Sequence, residues 1–533
     1  MSTASGRDEI AMKSQLPAHL VALDQTEEGQ MHDVDADDAV LAQAGYAQEF
    51  RREFTRFSTL SYAIQIMGVL GSVGATWSTP LAAGGPAAAV WCWFSGSFFA
   101  LCIALSIAEL VSAYPTSGGM YFVSKHVFPE KHVPVAAWVI GWSNLLGQTA
   151  GAASVCYGVG QMMLAMAAMG SVQEDGTQTY VPTAEHTVAV SIGICVLSGV
   201  ACSFPSRTLN TMIRYFTPIN LIASVAITIA LLVLTPNKLS ASDVFVNITD
   251  GSGWDSKGFS FFLGYLSVAW TMTDYDATAH LSEELHNAAI SGPVAIFQAV
   301  VVTWVFGVML NIAFGFCAGD VSATLSSSFG NPAAQIFFNA AGRKGGIGMW
   351  FWVVLVQFFT GITAMLSDTR TFFALARDDM FPLSSTFRKM NKYTQTPLYS
   401  VWTVVFLCCI LNLIALGSTQ TINGIYGVTA PAMDLSYIAV IAARMYYHKE
   451  RPITPGPFRL GRLQKPINVI AIVWVLFISA VLFFPPVHPV TAANMNYAVA
   501  VAGVIVIFAL MWWYMQAKRS VHTYPRNSES PFC

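Results

Sequence analysis

The sequence is poor in charge. Only 11% of its 533 residues are Asp, Glu, Lys or Arg, whereas an ordinary soluble domain has about 25%. Hydrophobic residues make up 54% of the chain and include 35 Phe, 21 Met and 14 Trp, which is more apolar surface than the layers of a soluble fold can bury. The shortage of charge therefore excludes a soluble enzyme, and the abundance of apolar residues excludes a disordered or fibrous chain.

Several other signals are absent. With 30 acidic and 27 basic residues the net charge is −3, so there is no basic excess to indicate nucleic-acid binding. No GxxxxGK[ST], HExxH or CxxC sequence occurs, so neither an ATP-driven step nor a zinc site is indicated. The nine cysteines lie mostly inside apolar runs, which is typical of small buried hydrophobic residues. The sequence predicts neither an enzyme nor a bound metal or cofactor.

Long apolar stretches dominate the rest of the chain. A helix that crosses a bilayer needs about 20 mostly apolar residues, and twelve candidate stretches follow one another. They cover residues 57–80, 86–113, 135–168, 187–204, 214–235, 259–288, 293–318, 346–379, 396–417, 421–447, 467–484 and 494–516. The sequence thus predicts an all-α polytopic membrane protein with twelve transmembrane helices, whose partner is the lipid bilayer.

The distribution of Lys and Arg predicts the orientation. With the N-terminus in the cytoplasm, all but four of the 27 basic residues fall on the cytoplasmic side or in cytoplasmic helix ends, as the positive-inside rule requires. The four exceptions are Lys238, Lys257, Arg343 and Lys344. No apolar signal-peptide core follows Met1, so we expect the first spanning helix to act as the targeting signal. The sequon at Asn247 falls in an outside loop and is a weak candidate for glycosylation.

The first apolar stretch contains a cluster of small residues. Gly68, Gly71 and Gly74 recur at intervals of three, with Ser72 between them. Glycines weaken a helix and let the backbone approach a ligand, and irregular backbone at membrane depth is tolerated only around a protein-lined cavity. The alternative interpretation is a small-residue face that packs against a neighbouring helix. The segment alone does not decide between a break and a packing face.

The sixth stretch contains carboxylates. Asp274 and Asp276 would diverge by about 200° on a continuous helix, and a carboxylate near the bilayer centre costs at least a few kcal/mol. Both conflicts are relieved if the helix is interrupted after Trp270. Beyond the break, Asp276, His280 and Glu284 follow at intervals of four and are predicted to form one polar stripe toward the cytoplasm. The alternative is a helix that ends early, in water.

Two interrupted helices, five helices apart, are the pattern of an inverted-repeat secondary transporter. Helix N-termini at such breaks favour carboxylates, while Asp274 and unpaired carbonyls favour cations, and together they suit a zwitterion or an ω-amino acid. The predicted organisation is an acidic cytoplasmic tail (1–56), a first repeat (57–235), an extracellular loop (236–258), a second repeat (259–447), two further helices (448–516) and a cytoplasmic tail (517–533).

Further charges lie near the cytoplasmic ends of predicted helices. Glu109 ends the second helix, and Arg370 and Arg377 lie in the cytoplasmic half of the eighth. We interpret Arg370 as part of an inner gate that closes by pairing with Glu109, Asp276 or Glu284. Arg377 is interpreted instead as an interfacial arginine whose side chain snorkels to the headgroups.

Three segments resemble a known family. They are Leu41–Phe54 before the first helix, Glu109–Tyr121 after the second, and Tyr275–Glu284 in the sixth, which has Leu281 where Met is usual. Together they resemble the amino acid–polyamine–organocation superfamily of permeases, and more narrowly its amino acid/choline transporter branch, which includes the fungal GABA, choline and polyamine permeases. The resemblance spans residues 41–516.

The resemblance implies a fold and a site. The fold would be a core of two inverted five-helix repeats, with helices one and six broken, plus two C-terminal helices. Carried over by position, the substrate-binding residues would be Gly68, Gly71, Ser72 and Gly74 at the first break and Trp270, Thr271 and Asp274 at the second. Gly71 and Thr273 depart from the pattern expected of GABA permeases, which leaves the substrate open.

The resemblance also implies a function. The chain would import a small amino acid or amine by alternating access, with GABA the first candidate and choline, a polyamine or another amino acid as alternatives. The importer would be either proton-coupled or an exchanger, with the proton as the expected coupling ion because the carboxylates and His280 can titrate. The plasma membrane is the expected location and the vacuolar membrane the second choice. A nutrient receptor that binds amino acids without moving them is the alternative of another class.

Overall fold

The computed structural model of the chain describes residues 37–517, apart from residues 40, 43–44, 418–423, 425 and 492–493. Over these residues the secondary structure is helical, with two isolated β-bridges and no β-strand. The predicted all-α class is therefore confirmed.

The first half of the chain forms seven labelled helices: α1 (Arg56–Met67), α2 (Val69–Thr76), α3 (Ser78–Ala113), α4 (Gly119–Val127), α5 (Val133–Gly170), α6 (Ala184–Cys202) and α7 (Ser206–Leu234). The second half contains α8 (Ala241–Phe245), α9 (Lys257–Leu263), α10 (Leu266–Met272), α11 (Ala277–His280), α12 (Ala288–Cys317), α13 (Val321–Leu325), α14 (Pro332–Arg377), α15 (Ser384–Phe387), α16 (Leu398–Leu413) and α17 (Thr429–Tyr446). Two C-terminal helices follow, α18 (Gln464–Leu482) and α19 (Ala498–Trp512).

Two of the long helices are interrupted near one end. In α3 the backbone leaves the helical region at Gly84 and at Gly85, which has a φ of +77°, and Pro86 then opens the spanning part in the first-turn position that proline favours. In α14 the interruption is at Gly342, with a φ of +63°. The spanning parts therefore begin close to the predicted starts at residues 86 and 346.

Within the described part of the chain, ten helices are long and apolar enough to cross a membrane. Of the twelve predicted spans, the other two are the sixth and the tenth. The sixth is divided among α9, α10 and α11, none longer than seven residues. The tenth is α17, which has 18 residues and carries Asp434 and Arg444; part of its predicted range, residues 421–423 and 425, lies outside the described residues.

The long helices pack closely on one another in the core. The most extensive contacts join α12 with α3 and α14 with α5, which are the seventh predicted span with the second and the eighth with the third. The division of the chain into two five-helix repeats stays a prediction. Outside this core, α18 packs on α3, where Ser106 donates to Asn468 at 2.8 Å. The Trp138 indole on α5 donates to the Ala509 carbonyl of α19 at 2.8 Å.

Candidate functional site

The first spanning segment changes direction at one residue. Helix α1 ends at Met67, Gly68 has a φ of +44°, and α2 begins at Val69. A side chain at Gly68 would be strained by this φ and a Cβ there would overlap Thr360 Oγ1 of α14. The Ser72 hydroxyl donates to the Met67 carbonyl at 2.8 Å, which satisfies one acceptor at the end of α1. Only glycine fits this junction.

The other two glycines of the cluster lie against α14. A Cβ on Gly71 would meet Gln357, and a Cβ on Gly74 would lie 2.7 Å from Val353 Cγ1. These glycines therefore let α2 approach α14 closely. This is the close helix packing that the alternative interpretation of the glycine cluster predicts. Their predicted part in substrate binding stays a prediction. Ser72, between them, lines the cavity described below.

The sixth spanning segment is broken over four residues. Helix α10 ends at Met272, Thr273 is extended, and Asp274 has a φ of +66° before α11 begins at Ala277. The Asp274 carboxylate accepts hydrogen bonds from the Gln148 amide and, at 3.4 Å, from the Ser367 hydroxyl. A left-handed backbone at a residue other than glycine is uncommon, and such conformations cluster at functional sites. The predicted break after Trp270 is thus present, two residues later than Trp270 itself.

A buried cavity of about 40 Å³ lies between the two breaks. At roughly 10–15 Å³ per water molecule by this measure, it has room for about three or four waters, so the helices must separate before an amino acid can enter. Its lining includes Ser72, Trp270, Thr271, Asp274 and Met433. The Trp270 indole donates to Ser154 Oγ at 3.0 Å, and the Thr271 hydroxyl donates to the Ser267 carbonyl at 2.8 Å.

The electrostatics of this cavity rest on one side chain. Among the described residues that line it, Asp274 alone is ionisable, and Lys, Arg and His are absent. The remaining lining is glycine, serine, threonine and apolar side chains, together with Gln148. An arrangement of this kind can hold a single positive charge next to an aromatic face.

A second polar cluster lies just beyond the break. His280 Nε2 is 3.2 Å from Asp276 Oδ2, and Asp276 Oδ1 accepts from the Tyr437 hydroxyl at 2.5 Å. His280 Nδ1 lies 2.9 Å from the Ser117 carbonyl, which can only accept, so Nδ1 carries a proton. Nε2 makes no hydrogen bond within the described residues. Its approach to the Asp276 carboxylate is therefore a close contact between two fully buried polar side chains.

Glu284 does not continue the predicted stripe. Helix α11 ends at His280, and a 3-10 turn over Ser282–Glu284 turns the chain. The prediction that Asp276, His280 and Glu284 form one stripe is therefore wrong for Glu284. Asp276 and His280 form a pair, whereas Glu284 faces a different helix.

That helix is α14. Arg370 Nε lies 2.6 Å from Glu284 Oε1, and each side chain is only 1% exposed. Of the three partners predicted for Arg370, the structure pairs it with Glu284. Removing one member of such a pair leaves an uncompensated buried charge and costs about 3–5 kcal/mol.

The interpretation of Arg377 as a snorkelling arginine is wrong. Its two Nη atoms donate to the two carboxylate oxygens of Glu283 at 3.0 and 2.9 Å, and its side chain is 9% exposed. Sequence reasoning overlooked Glu283, because a continuous helix would have turned it away from the stripe. The 3-10 turn instead presents Glu283 and Glu284 to two arginines of α14.

Glu109 has another partner as well. Its carboxylate lies 2.9 Å from Arg444 Nη1 of α17 and accepts from the Leu460 backbone N–H at 3.3 Å. It thus ties α3 to α17 and to the chain before α18. Glu109 was predicted as a partner of Arg370, and the structure does not bring these two side chains into a pair.

The chain segment before α1 covers the two arginines from the side that the sequence predicts to be cytoplasmic. The Arg377 guanidinium lies over the Tyr46 ring at 3.9 Å, and the Arg370 guanidinium lies over the Phe50 ring at 4.7 Å. Each aromatic face attracts the cation above it and shields the ion pair from water. This part of the predicted tail is packed against the core.

The same segment also holds the end of the sixth span. The Gln48 amide donates to the Glu283 carbonyl at 2.8 Å, and Arg52 donates to the Leu285 carbonyl at 3.0 Å. Arg52 is itself paired with Asp38 at 3.0 Å. From the sequence, this segment served only as evidence of the family resemblance, and its contacts with the core were not predicted. Its aromatic residues and arginines between positions 46 and 54, which are unusual in an otherwise polar tail, could have indicated such contacts.

Asn247 lies apart from both regions, in the chain after α8. It is exposed, and its side-chain amide donates to Asp243 Oδ1 at 2.8 Å. Its glycosylation stays a prediction.

Comparison with known proteins decides the family. A family model described as "Amino acid permease" matches residues 55–509. The chain belongs to the amino acid permease family. The permease is 42% identical over 502 residues to an uncharacterized amino-acid permease of Schizosaccharomyces pombe, an alignment that covers 93% of this chain and 92% of the relative. It is 36% identical to amino-acid permease 2 of Neurospora crassa, covering 90% and 88%, and 29% identical to amino-acid permease BAT1 of Arabidopsis thaliana, covering 91% and 95%.

The family fixes the broad function. The relatives are named permeases and not enzymes, and they match the permease over nearly its whole length. Together with its apolar helices, this makes the chain a multi-pass membrane transporter of amino acids. The predicted resemblance to amino acid permeases is confirmed.

Proposed function

We propose that the permease imports a small amino acid or amine with one positively charged amino group, and that GABA is its first candidate substrate. The observation that carries the proposal is the cavity between the two breaks, where Asp274 is the one ionisable group among the described lining residues. A substrate ammonium group would pair with this carboxylate and rest against the Trp270 ring.

The start of α2, next to the cavity, suits a carboxylate. Helix α2 begins at Val69, beside Gly68, and the first amides of a helix lack partners within it. Ser72, in the first turn of α2, lines the cavity. The N-terminal end of a helix attracts anions through these amides and through its dipole. One cationic end and one anionic end are the two groups of an amino acid.

The same features rank the alternatives. A polyamine carries several ammonium groups, but the described lining offers one carboxylate. Choline carries a cation and no anion, so it would pair with Asp274 and have no group to place at the N-terminal end of α2. GABA and other small amino acids would use both ends of the cavity, and this supports them over the other two classes.

We also propose that a proton drives the import. Support comes from Asp276 and His280, whose buried side chains lie 3.2 Å apart on the chain between Asp274 and the ion pairs of Glu283 and Glu284. When the predicted cytoplasmic side opens, Glu284 and Glu283 must part from Arg370 and Arg377. His280, four residues before Glu284 on the same chain, is the group that we propose gains and loses the proton in that step.

The test is uptake by intact cells that lack their own permeases for the substrates. Cells that express the permease should accumulate labelled GABA, unlabelled small amino acids should compete, and choline and a polyamine should compete weakly. Uptake by intact cells also tests the proposed plasma-membrane location, because a vacuolar permease would not support it.

Two outcomes would contradict parts of the proposal. Full competition by choline or a polyamine, without competition by GABA, would show that the proposed substrate is wrong, but the assignment as a transporter would stand. The purified protein could bind amino acids while cells and vesicles show neither accumulation nor exchange. That result would favour the alternative function, a nutrient receptor that does not transport.

A further inference from the structure

A groove of about 840 Å³ lies away from the central cavity, where the chain between α15 and α16 enters the spanning helix α16. Its lining includes Lys389, Lys392, Tyr393, Tyr399, Trp402 and Phe406. The groove therefore combines basic side chains of a loop with aromatic side chains of a membrane helix.

The aromatic wall follows one face of α16. Tyr399, Trp402 and Phe406 are three and four residues apart, so they share one side of the helix. Their side chains are 56%, 42% and 63% exposed. Tyr and Trp at the end of a spanning helix are typical of the level where the headgroups meet the hydrocarbon. The deeper Phe406, one turn further along, faces the hydrocarbon.

The two lysines of the groove, Lys389 and Lys392, have no acidic partner among the described residues. Lys389 and Lys392 are exposed, and no ion pair joins either of them to a carboxylate of the described residues. No Asp or Glu lines the groove. The neighbouring Arg388 already pairs with Asp379 at 3.4 Å. The two lysines are therefore available to an anion from outside the chain.

We propose that this groove binds an anionic phospholipid, with its headgroup between Lys389 and Lys392 and an acyl chain along Trp402 and Phe406. The lysines supply charge complementarity to the headgroup, and the apolar wall is continuous with a membrane-facing helix surface. The predicted orientation places the groove on the cytoplasmic side, where anionic lipids are concentrated. A soluble anion would use the lysines and leave the aromatic wall uncovered.

Native mass spectrometry of the full-length protein in detergent tests the site. The protein is titrated with a phosphatidylserine and, separately, with a phosphatidylcholine of the same acyl chains. The Lys389→Gln/Lys392→Gln variant should bind phosphatidylserine about 30-fold more weakly, since each lysine near the surface contributes about 1 kcal/mol. The control variant is Lys131→Gln/Lys449→Gln, which removes the same charge from exposed lysines elsewhere on the predicted cytoplasmic side and should bind like the parent.

A second variant separates the two parts of the site. Trp402→Ala should weaken the binding of both lipids and leave the preference for phosphatidylserine unchanged. The double lysine variant should abolish this preference. Equal binding of the two lipids by the parent, or an unchanged preference in the lysine variant, would overturn the proposal. Full competition by glycerophosphoserine, which has the headgroup without acyl chains, would show that the groove binds soluble anions. That result would overturn the proposal that its occupant is a phospholipid.

Discussion

Arg370 Nε lies 2.6 Å from Glu284 Oε1, and both side chains are almost completely buried. This pair joins the eighth spanning helix to the end of the broken sixth one, beneath a cavity that is too small to hold an amino acid. We expect the pair to belong to a state in which the predicted cytoplasmic side is closed. The pair therefore predicts separate effects on stability and on turnover.

Breaking the Arg370–Glu284 pair on one side should destabilise the permease. Arg370→Ala and Glu284→Gln should each lower the amount of folded protein in the membrane, because a lone buried charge costs about 3–5 kcal/mol. The double variant should be more stable than Arg370→Ala alone. Detergent-solubilised thermal unfolding of the three variants measures this, and additive losses in the double variant would contradict the pairing.

In protein that does reach the membrane, loss of Arg370 should alter the maximal rate of transport more than the substrate affinity. The reason is that the pair exists in only one state of the cycle. Initial uptake rates over a range of substrate concentrations, normalised to the amount of protein at the surface, distinguish the two. A change confined to affinity would place Arg370 in substrate binding and not in a gate.

Trp270→Ala should lower substrate affinity about 2- to 30-fold, since an aromatic face contributes roughly 0.5–2 kcal/mol to a bound cation. Trp352→Ala is a suitable control, because Trp352 lies on α14 and is 44% exposed, away from the cavity. Competition binding to purified protein gives both affinities. Equal affinities in the two variants would remove Trp270 from the site.

Gly68→Ala should abolish transport and reduce the amount of folded protein. Gly68 has a positive φ and touches Thr360, so a methyl group is both strained and without space. Gly193→Ala, in a helix where nothing lies within 4 Å of the added Cβ, should be neutral or slightly stabilising. Normal expression and uptake in Gly68→Ala would contradict the geometry of the first break.

His280→Gln should uncouple substrate movement from the proton. The variant should still exchange labelled for unlabelled substrate across a vesicle membrane, but a pH gradient should no longer drive accumulation. His448→Gln, which changes an exposed histidine, should remain coupled. Accumulation by His280→Gln at the parental rate and extent would exclude the Asp276–His280 pair as the proton site.

Much of the fold follows from the sequence alone, because lipid demands long apolar helices. The break near Asp274 was predicted because a carboxylate cannot be left on the lipid-facing side of a regular helix. The glycine cluster was harder to interpret. Gly68 marks the junction, whereas Gly71 and Gly74 lie against α14, and sequence spacing cannot tell a ligand contact from a close helix contact.

The ion pairs of Glu283 and Glu284 with the two arginines of α14 were the least predictable part. Periodicity assumes a continuous helix, and the 3-10 turn at Ser282–Glu284 changes which way Glu283 and Glu284 point. Their arginine partners are far away in sequence, and so are the rings of Tyr46 and Phe50 that cover those arginines. Contacts of this kind depend on tertiary packing, about which local patterns say nothing.

Asp274 is proposed to hold the amino group of the substrate, and a comparison of two variants tests this role. Substrate affinity is measured for purified Asp274→Asn and for Asp320→Asn, in which the new asparagine can still cap α13. Asp274→Asn should fold normally and lose at least about 10-fold in affinity, because a hydrogen bond to a charged group contributes about 1.5–3 kcal/mol, whereas Asp320→Asn should be unchanged. Parental affinity in Asp274→Asn would contradict this role.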